Sequence, residues 1–114
     1  MQGILLRLAI LLALPLIAAA QGLTGSISGT VADQTGSAVP GAEITLTSVQ
    51  TGLSRSVTSD ANGSFVLTQL LPSTYRLAVT SKGFKRYEQT DIVLTATERV
   101  VLQRIDLQVG EMTQ

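Results

Sequence analysis

The feature that most constrains the fold of this 114-residue chain is the spacing of its apolar residues, which recur at every second position after residue 20. Four segments show this alternation, with apolar residues or glycine at Ile27, Gly29 and Val31, at Ala42, Ile44 and Leu46, at Tyr75, Leu77 and Val79, and at Ile105, Leu107 and Val109. A period of two places one set of side chains on a buried face and the other in water. Abundant Thr, Val and Ile suit the same pleated surface. The sequence therefore predicts an all-β domain.

Turn-forming residues separate these segments at short intervals, at 33–36, 40–41, 50–52, 60–63, 71–74 and 82–83. Asn62-Gly63 is the clearest hairpin signal, because these residues readily adopt the positive φ angles of tight turns. The spacing predicts seven strands, at about residues 25–32, 42–49, 53–59, 64–68, 74–81, 85–94 and 98–109. A single sheet with so apolar a face would expose that face to water, so we expect two packed layers.

The last predicted strand contains an irregularity. The run Val100-Val101-Leu102 breaks the alternation that the rest of the segment follows. A β-bulge near Gln103 would shift the inward face by one position and restore the pattern. We therefore expect a bulge there.

Residues 1–20 are typical of a helical secretory signal peptide. A single charged residue, Arg7, lies in an otherwise apolar run that ends at Pro15, and the small residues 18–20 follow. This arrangement predicts cleavage after Ala20. A retained membrane anchor is the alternative, although a span needs about 20 apolar residues and the uninterrupted run is about half as long. The chain then divides into a signal peptide at 1–20, a β-sandwich domain at 21–109, and a tail or linker to a further region at 110–114.

The composition removes several kinds of chemistry. The chain has no Cys, His or Trp, and its eight Lys and Arg balance its eight Asp and Glu. It therefore has no thiol nucleophile, no imidazole base and no zinc site of the usual ligand types. Balanced charge argues against a nucleic-acid partner, since such binders need an excess of cations. We expect no enzyme activity, no cofactor and no metal.

Four motifs in order resemble the carboxypeptidase regulatory-like domain family. They lie at residues 29–46, 58–65, 70–77 and 82–84, so the resemblance covers nearly all of 25–109. It implies a seven-stranded, transthyretin-like β-sandwich of Greek-key type, also classed as a carbohydrate-binding-like fold, without peptidase activity. One departure is Ser73, where the family usually has Gly. If that site needs a positive φ, Ser costs about 1 kcal/mol there; otherwise the turn is of another type.

Two segments, Gly-Phe-Lys-Arg-Tyr at 83–87 and the closing Leu-Gln-Val-Gly-Glu at 107–111, are similar to the N-terminal domain of Oar-like TonB-dependent outer-membrane receptors. There the domain follows a signal peptide, lies on the periplasmic side of the outer membrane, and precedes the plug and barrel. The resemblance implies that this chain is exported, does not itself span the membrane in its mature form, and contacts other domains of a receptor or periplasmic proteins. The alternative is a free-standing secreted module that binds a glycan.

Two groups of residues are candidate sites. Lys82, Phe84, Lys85, Arg86 and Tyr87 combine cations and aromatics, which could stack on a sugar or contact an anionic partner surface. The other interpretation is that Phe84 caps the core and the cations are solvated. Asp60 and Asn62 have calcium-loop spacing, but the remaining ligands are missing, so a hairpin turn is the favoured interpretation.

Overall fold

The computed structural model describes residues 23–110, which form two β-sheets packed face to face. The predicted signal peptide, its cleavage site and residues 111–114 lie outside this described part. The strands are β1 (Gly25–Asp33), β2 (Glu43–Ser48), β3 (Ser54–Thr58), β4 (Ser64–Leu70), β5 (Ser73–Thr80), β6 (Tyr87–Leu94), β7 (Arg99–Val101) and β8 (Ile105–Leu107). The predicted all-β sandwich is confirmed.

The first sheet is built around β1. Strand β4 pairs antiparallel with one edge of β1, and β7 and β8 pair parallel with it in succession. The second sheet has the order β3-β2-β5-β6, with every neighbouring pair antiparallel. The turn at 59–63 carries the chain from β3 in the second sheet to β4 in the first, so the hairpin that the sequence predicts at Asn62-Gly63 is not formed.

The structure has eight strands where the sequence predicts seven, because the expected strand at 98–109 is interrupted at residues 102–104. Val100, before the interruption, and Leu102, at its first position, pack against the core, and Ile105 and Leu107 are buried after it. The inward face therefore moves from even to odd positions, as the sequence predicts. The shift is made by a break in the strand, and Leu102 N–H still donates to Ser28 O across it, at 2.9 Å.

The core fills the space between the sheets with the alternating residues of both. Its most fully buried large side chains are Ile27, Ile44, Leu46, Leu67, Leu77, Leu94, Ile105, Leu107, Val31 and Val79. Each buried Val, Leu or Ile contributes about 1.5–3 kcal/mol relative to an exposed one. With no disulfide available, this packing holds the sheets together.

Two β-bulges lie on strands at opposite edges of the sandwich. In β4 two residues, Thr68 and Gln69, oppose one of β1, and Gln69 has a φ of 56°. In β6 two residues, Thr90 and Asp91, oppose one of β5, and Asp91 has a φ of 60°. Bulges bend and twist an edge strand, which makes it a poorer template for pairing with another chain.

Candidate functional site

The strand directions define two ends of the sandwich. The cleft end carries the loops at 49–53, 71–72 and 95–98, and the chain enters β1 there. The anchored end carries the loops at 34–42, 59–63 and 81–86, and β8 ends there. The strand β5 joins the two ends, with Ser73 at the cleft end and Thr80 at the anchored end.

The basic loop predicted from the sequence, Lys82–Tyr87, lies at the anchored end. It pairs with the segment after β8: Phe84 bridges to Val109, Lys85 N–H donates to Gln108 O at 2.7 Å, and Gly110 N–H donates to Gly83 O at 3.1 Å. The loop is therefore held against the end of the described chain.

The five predicted side chains have different surroundings. Phe84 and Tyr87 are half-buried against the core, while Lys82, Lys85 and Arg86 are exposed. Arg86 Nε lies 2.9 Å from Glu88 Oε1, so its charge is partly neutralised. Within residues 23–110 neither lysine forms an ion pair. Their binding role stays a prediction.

The Asp60 turn is a structural feature of the anchored end. The Asp60 Oδ1 atom accepts hydrogen bonds from Asn62 N and Ser64 N, both at 2.9 Å, and Gly63 has a φ of 75°. The carboxylate therefore fixes the backbone of the turn. The predicted turn is present, but it joins strands of two different sheets and is not a hairpin. Within residues 23–110 no group of three or more His, Cys, Asp or Glu is placed to hold a metal ion.

Asp33 fixes the neighbouring turn in the same way. Its Oδ1 accepts from Thr35 Oγ1 at 2.6 Å, from Thr35 N at 2.9 Å and from Ser37 N at 3.0 Å. The hydroxyl of Thr35 lowers the pKa of Asp33 most strongly. Desolvation opposes this, and the backbone groups of the turn add to the lowering, so the pKa lies below its ordinary value. A carboxyl with a lowered pKa is a poor general acid at neutral pH.

A concavity with a mostly apolar lining lies at the cleft end, between the end of β4 and the start of β3. We call it the end cleft. It has a volume of about 230 Å³ and is lined by Leu46, Ser48, Gln50, Thr51, Leu53, Arg55, Gln69, Leu70, Leu71, Pro72, Ser73 and Tyr75. Two of its apolar residues, Leu53 and Leu71, are 69% and 64% exposed.

One wall of the end cleft is a chain of hydrogen bonds. Thr51 N–H donates to Ser48 Oγ at 3.3 Å, Ser48 and Ser73 share a hydrogen bond of 2.7 Å between their hydroxyls, and Ser73 Oγ donates to Gln50 Oε1. Gln50 Oε1 also accepts from Thr74 N, at 2.9 Å. Ser73 does not have a positive φ. The second of the two possibilities for this position is therefore the observed one: the turn is of another type, and Ser supplies its hydroxyl to this wall.

The opposite wall carries the arginine Arg55. In the β2–β3 register Arg55 lies opposite the buried Leu46, so it occupies an inward-facing position on an edge strand. Its Nη1 donates to Thr68 O at 2.6 Å and to Gln69 O at 3.4 Å, across the gap between the two sheets. Arg55 therefore joins β3 to the bulge of β4.

Tyr75 forms the floor between the two walls. Its ring is 6% exposed, and its hydroxyl donates to Leu71 O at 2.6 Å. Burial raises the pKa of Tyr75 above its ordinary value, and the positive charge of Arg55 opposes that shift. The tyrosine is neutral at physiological pH and its hydroxyl proton is engaged.

Sequence reasoning missed the end cleft. It assigned no role to Ser48, Gln50 or Arg55, and treated Tyr75 as core, which is confirmed. One signal was available. Leu53, Arg55 and Val57 lie on the same face of the predicted strand 53–59, so a charged residue stands between two apolar ones on that face. The cleft itself needs residues from four strands and has no local signature.

The comparisons with known proteins agree on the fold. Residues 26–108 match the model of the carboxypeptidase regulatory-like domain family. No curated protein matches the chain. Among solved structures, the chain is similar to catechol 1,2-dioxygenase of Acinetobacter radioresistens at 12% identity, with a TM-score of 0.64, covering 81% of this chain and 54% of that one.

Two further solved structures are also similar to this chain. The TIE protein of Bacillus anthracis has 18% identity and a TM-score of 0.63, with 75% of this chain and 16% of that one covered. A streptococcal ancillary pilin has 18% identity and a TM-score of 0.58, with 78% and 33% covered. This chain spans about half or less of each of these three proteins, and such low identity establishes a shared sandwich fold alone.

No helix among the described residues has the length and hydropathy needed to cross a bilayer. The described residues form a β-sandwich whose family motifs lie mainly in its turns and strand ends. Its open cleft and its basic loop are at opposite ends.

Proposed function

This chain belongs to the carboxypeptidase regulatory-like domain family, and on that premise we propose that it is a non-catalytic accessory domain, exported and placed N-terminal to the plug and barrel of a TonB-dependent outer-membrane transporter. The non-catalytic part of this proposal rests on the hydrogen bonds of the motif residues, which go to backbone groups. Asp33, Asp60 and Ser59 hold backbone groups of turns, and Tyr75 holds the carbonyl of Leu71. These side chains fix the backbone geometry of turns and corners, and none of them is an activated nucleophile or base.

The chain path supports a domain placed in series with other regions. The described chain enters at the cleft end, at Leu23, and leaves at the anchored end, at Gly110. A strand of nine residues such as β1 spans about 30 Å, so the two connections are well separated. Such a domain can act as a spacer between a preceding segment and a following one.

The placement before a transporter rests on the signal-like residues 1–20 and on the motif order that resembles Oar-like receptors. The test is to read the coding DNA past codon 114 and to fractionate the cells that express it. We expect an open frame that continues into ten-residue alternating segments, the pattern of membrane strands, and a product in the outer-membrane fraction. A stop codon at that point, with the product in the medium, would contradict the placement.

A free-standing module that binds a glycan is the second candidate, and the exposed Lys82 and Lys85 beside the half-buried Tyr87 favour it. Its test is a glycan array with the exported chain and with a Lys85→Ser, Arg86→Ser variant. Arg104→Ser is a matched control, because Arg104 also forms an exposed ion pair with an acidic residue two positions ahead, Asp106. Binding that the double variant loses and the control keeps would support this candidate, and array binding unaffected by the double variant would exclude the loop as its site.

A further inference from the structure

The end cleft is a cavity with a mostly apolar lining and one cation. Its apolar residues include Leu46, Leu53, Leu70, Leu71 and Pro72, and Arg55 is the one charged residue among those that line it. Leu53 and Leu71 remain more than half exposed at its rim. An exposed apolar rim around a concave site is a feature of binding sites.

Three of the hydroxyl groups that line the cleft already donate their protons within the protein. The hydroxyl protons of Ser48 and Ser73 are donated along the chain that ends at Gln50, and the Tyr75 hydroxyl donates to Leu71 O. These hydroxyls have no proton left for an incoming acceptor. A ligand that enters the cleft therefore meets Arg55 as its strongest donor.

Arg55 has hydrogen-bond donors that are not engaged within the protein. A guanidinium carries five N–H groups, and only Nη1 donates to the β4 carbonyls. Within residues 23–110, Nε and Nη2 form no hydrogen bond, and no carboxylate forms an ion pair with this residue. Because an arginine presents a planar fork that matches a carboxylate, the unpaired charge is complementary to an anion with two oxygens.

The bulge that closes the cleft adds a second, independent observation. Gln69 lines the cleft with a φ of 56°, an uncommon conformation for a residue other than glycine. Its carbonyl is oriented toward Arg55. Backbone conformations of this kind often occur at binding sites, where the surrounding contacts maintain them.

We propose that the end cleft binds an aliphatic carboxylate, with the carboxylate on Arg55 and the aliphatic part between Leu53 and Leu71. The volume of about 230 Å³ lies below the about 300–1,000 Å³ of sites for drug-sized ligands, so it suits one aliphatic side chain with its acid group. Two sources offer this chemistry: a free short-chain acid and the carboxyl-terminal residue of a peptide. This site is separate from the basic loop and does not depend on the transporter context.

The experiment is an NMR titration of the exported, purified chain, labelled with ¹⁵N. The probes are N-acetyl-leucine, N-acetyl-leucine amide, hexanoate and the tripeptide Ala-Ala-Leu. We expect the acid N-acetyl-leucine to shift the amides of residues 50–55 and 69–75 and to bind at least tenfold more tightly than its amide. Tighter binding of the tripeptide than of N-acetyl-leucine identifies a peptide terminus as the source. Binding of hexanoate that is equal to or tighter than that of N-acetyl-leucine identifies a free acid.

Variants test separately how the charge of Arg55 and the apolar rim contribute to binding of the acid. Arg55→Gln should weaken binding of the acid at least tenfold, while Arg76→Gln, an exposed arginine outside the cleft, should leave it unchanged. If Arg55→Gln fails to fold, Leu53→Asp tests the rim instead, because a negative charge there repels the ligand. Val49→Asp is its control, since Val49 is similarly exposed but does not line the cleft.

Three results would overturn the proposal. One is the absence of shifts at the cleft with every carboxylate probe. Another is equal affinity for N-acetyl-leucine and its amide. The third is acid binding that survives both Arg55→Gln and Leu53→Asp.

Discussion

The two ends of the sandwich use polar side chains in different ways. At the anchored end, carboxylates and hydroxyls bond directly to backbone groups: Asp33 and Asp60 accept from turn N–H groups, and the buried Ser59 donates to Val39 O and accepts from Ala42 N. At the cleft end, side chains also bond to one another, as Ser48, Ser73 and Gln50 do along one wall of the cleft. The first arrangement fixes the backbone of the turns, and the second lines the end cleft.

The difference shows how one fold separates stability from binding. Side-chain bonds to buried backbone groups cannot be replaced by water without exposing those groups, so we expect the anchored end to tolerate little change. The bonds at the cleft end lie beside an open cavity, where water can take the place of a lost hydroxyl. Substitutions at the two ends should therefore have unequal effects on the free energy of unfolding.

The largest effect is expected at Gly63 in the anchored end. A Cβ built there would overlap the carbonyl oxygen of Val31 and lie 3.3 Å from Val39 N, and the residue has a φ of 75°. Gly63→Ala should lower the free energy of unfolding by on the order of 3 kcal/mol, because it adds a backbone clash to an unfavourable φ. Urea denaturation followed by circular dichroism measures this.

Gly41 provides the matched control for that substitution. It has the same φ of 75°, but no atom lies within 4 Å of a Cβ built there. Gly41→Ala should therefore cost only about 1 kcal/mol, from the φ alone. Equal losses in the two variants would show that the contact between Gly63 and β1 does not constrain this end.

A smaller difference in the free energy of unfolding is expected between substitutions of the two buried serines, Ser59 and Ser48, each 5% exposed. Ser59→Ala removes the partner of two backbone groups, at 2.7 and 2.9 Å, and should cost about 2 kcal/mol. Ser48→Ala leaves Ser73 bonded to Gln50 and opens toward the cleft, so about 1 kcal/mol or less is expected. The two free energies of unfolding, measured under one condition, test the comparison. A loss at Ser48 as large as that at Ser59 would contradict it.

The smallest effect concerns pH. Hydrogen bonds from Thr35 lower the pKa of Asp33 at the anchored end, and those from Thr95 lower the pKa of Glu98 at the cleft end. Because the folded pKa of each lies below its unfolded value, each stabilises the fold above that unfolded value, 3.8 for Asp33 and 4.5 for Glu98. That contribution is lost as the pH falls through the folded pKa.

Asp33→Asn and Glu98→Gln should therefore destabilise the protein at pH 7 and approach the wild type as the pH falls below these values. We expect the larger change for Asp33, which accepts three hydrogen bonds from Thr35 and Ser37 where Glu98 accepts two from Thr95. Denaturation curves from pH 7 to acid conditions measure both. A deficit in Asp33→Asn that stays constant over this range would refute the assignment.

Much of the fold could be predicted from the sequence. Strand positions followed from the period of two, and the turns at 33–36 and 60–63 followed from Asp, Asn and Gly, since both signals depend on neighbouring residues. The shift of the inward face near Gln103 was also predicted, although it takes the form of a break between β7 and β8. The bulges at Gln69 and Asp91 were not predicted. Glutamine has no preference for a positive φ, and Asp91, although aspartate adopts a positive φ more readily, lies inside a predicted strand.

The candidate sites were less accessible to such reasoning. The basic loop stood out because its cations and aromatics are adjacent in the chain, and the structure adds its pairing with the segment at 108–110. Arg55 stood out only as a charged residue in an apolar row. Its relation to the carbonyls of Thr68 and Gln69 depends on how β3 and β4 face each other across two sheets.

The sequence by itself determined that residues 25–109 alternate between a buried and a solvated face, with fixed turns between strands and no thiol or imidazole chemistry. These properties are set by residue type and by near neighbours along the chain. Only the tertiary structure decided that Ser48, Arg55, Gln69 and Ser73 surround one cavity, and that the basic loop lies at the far end from it. Such proximity arises when two sheets pack, because packing brings together strand ends that the local pattern treats as unrelated.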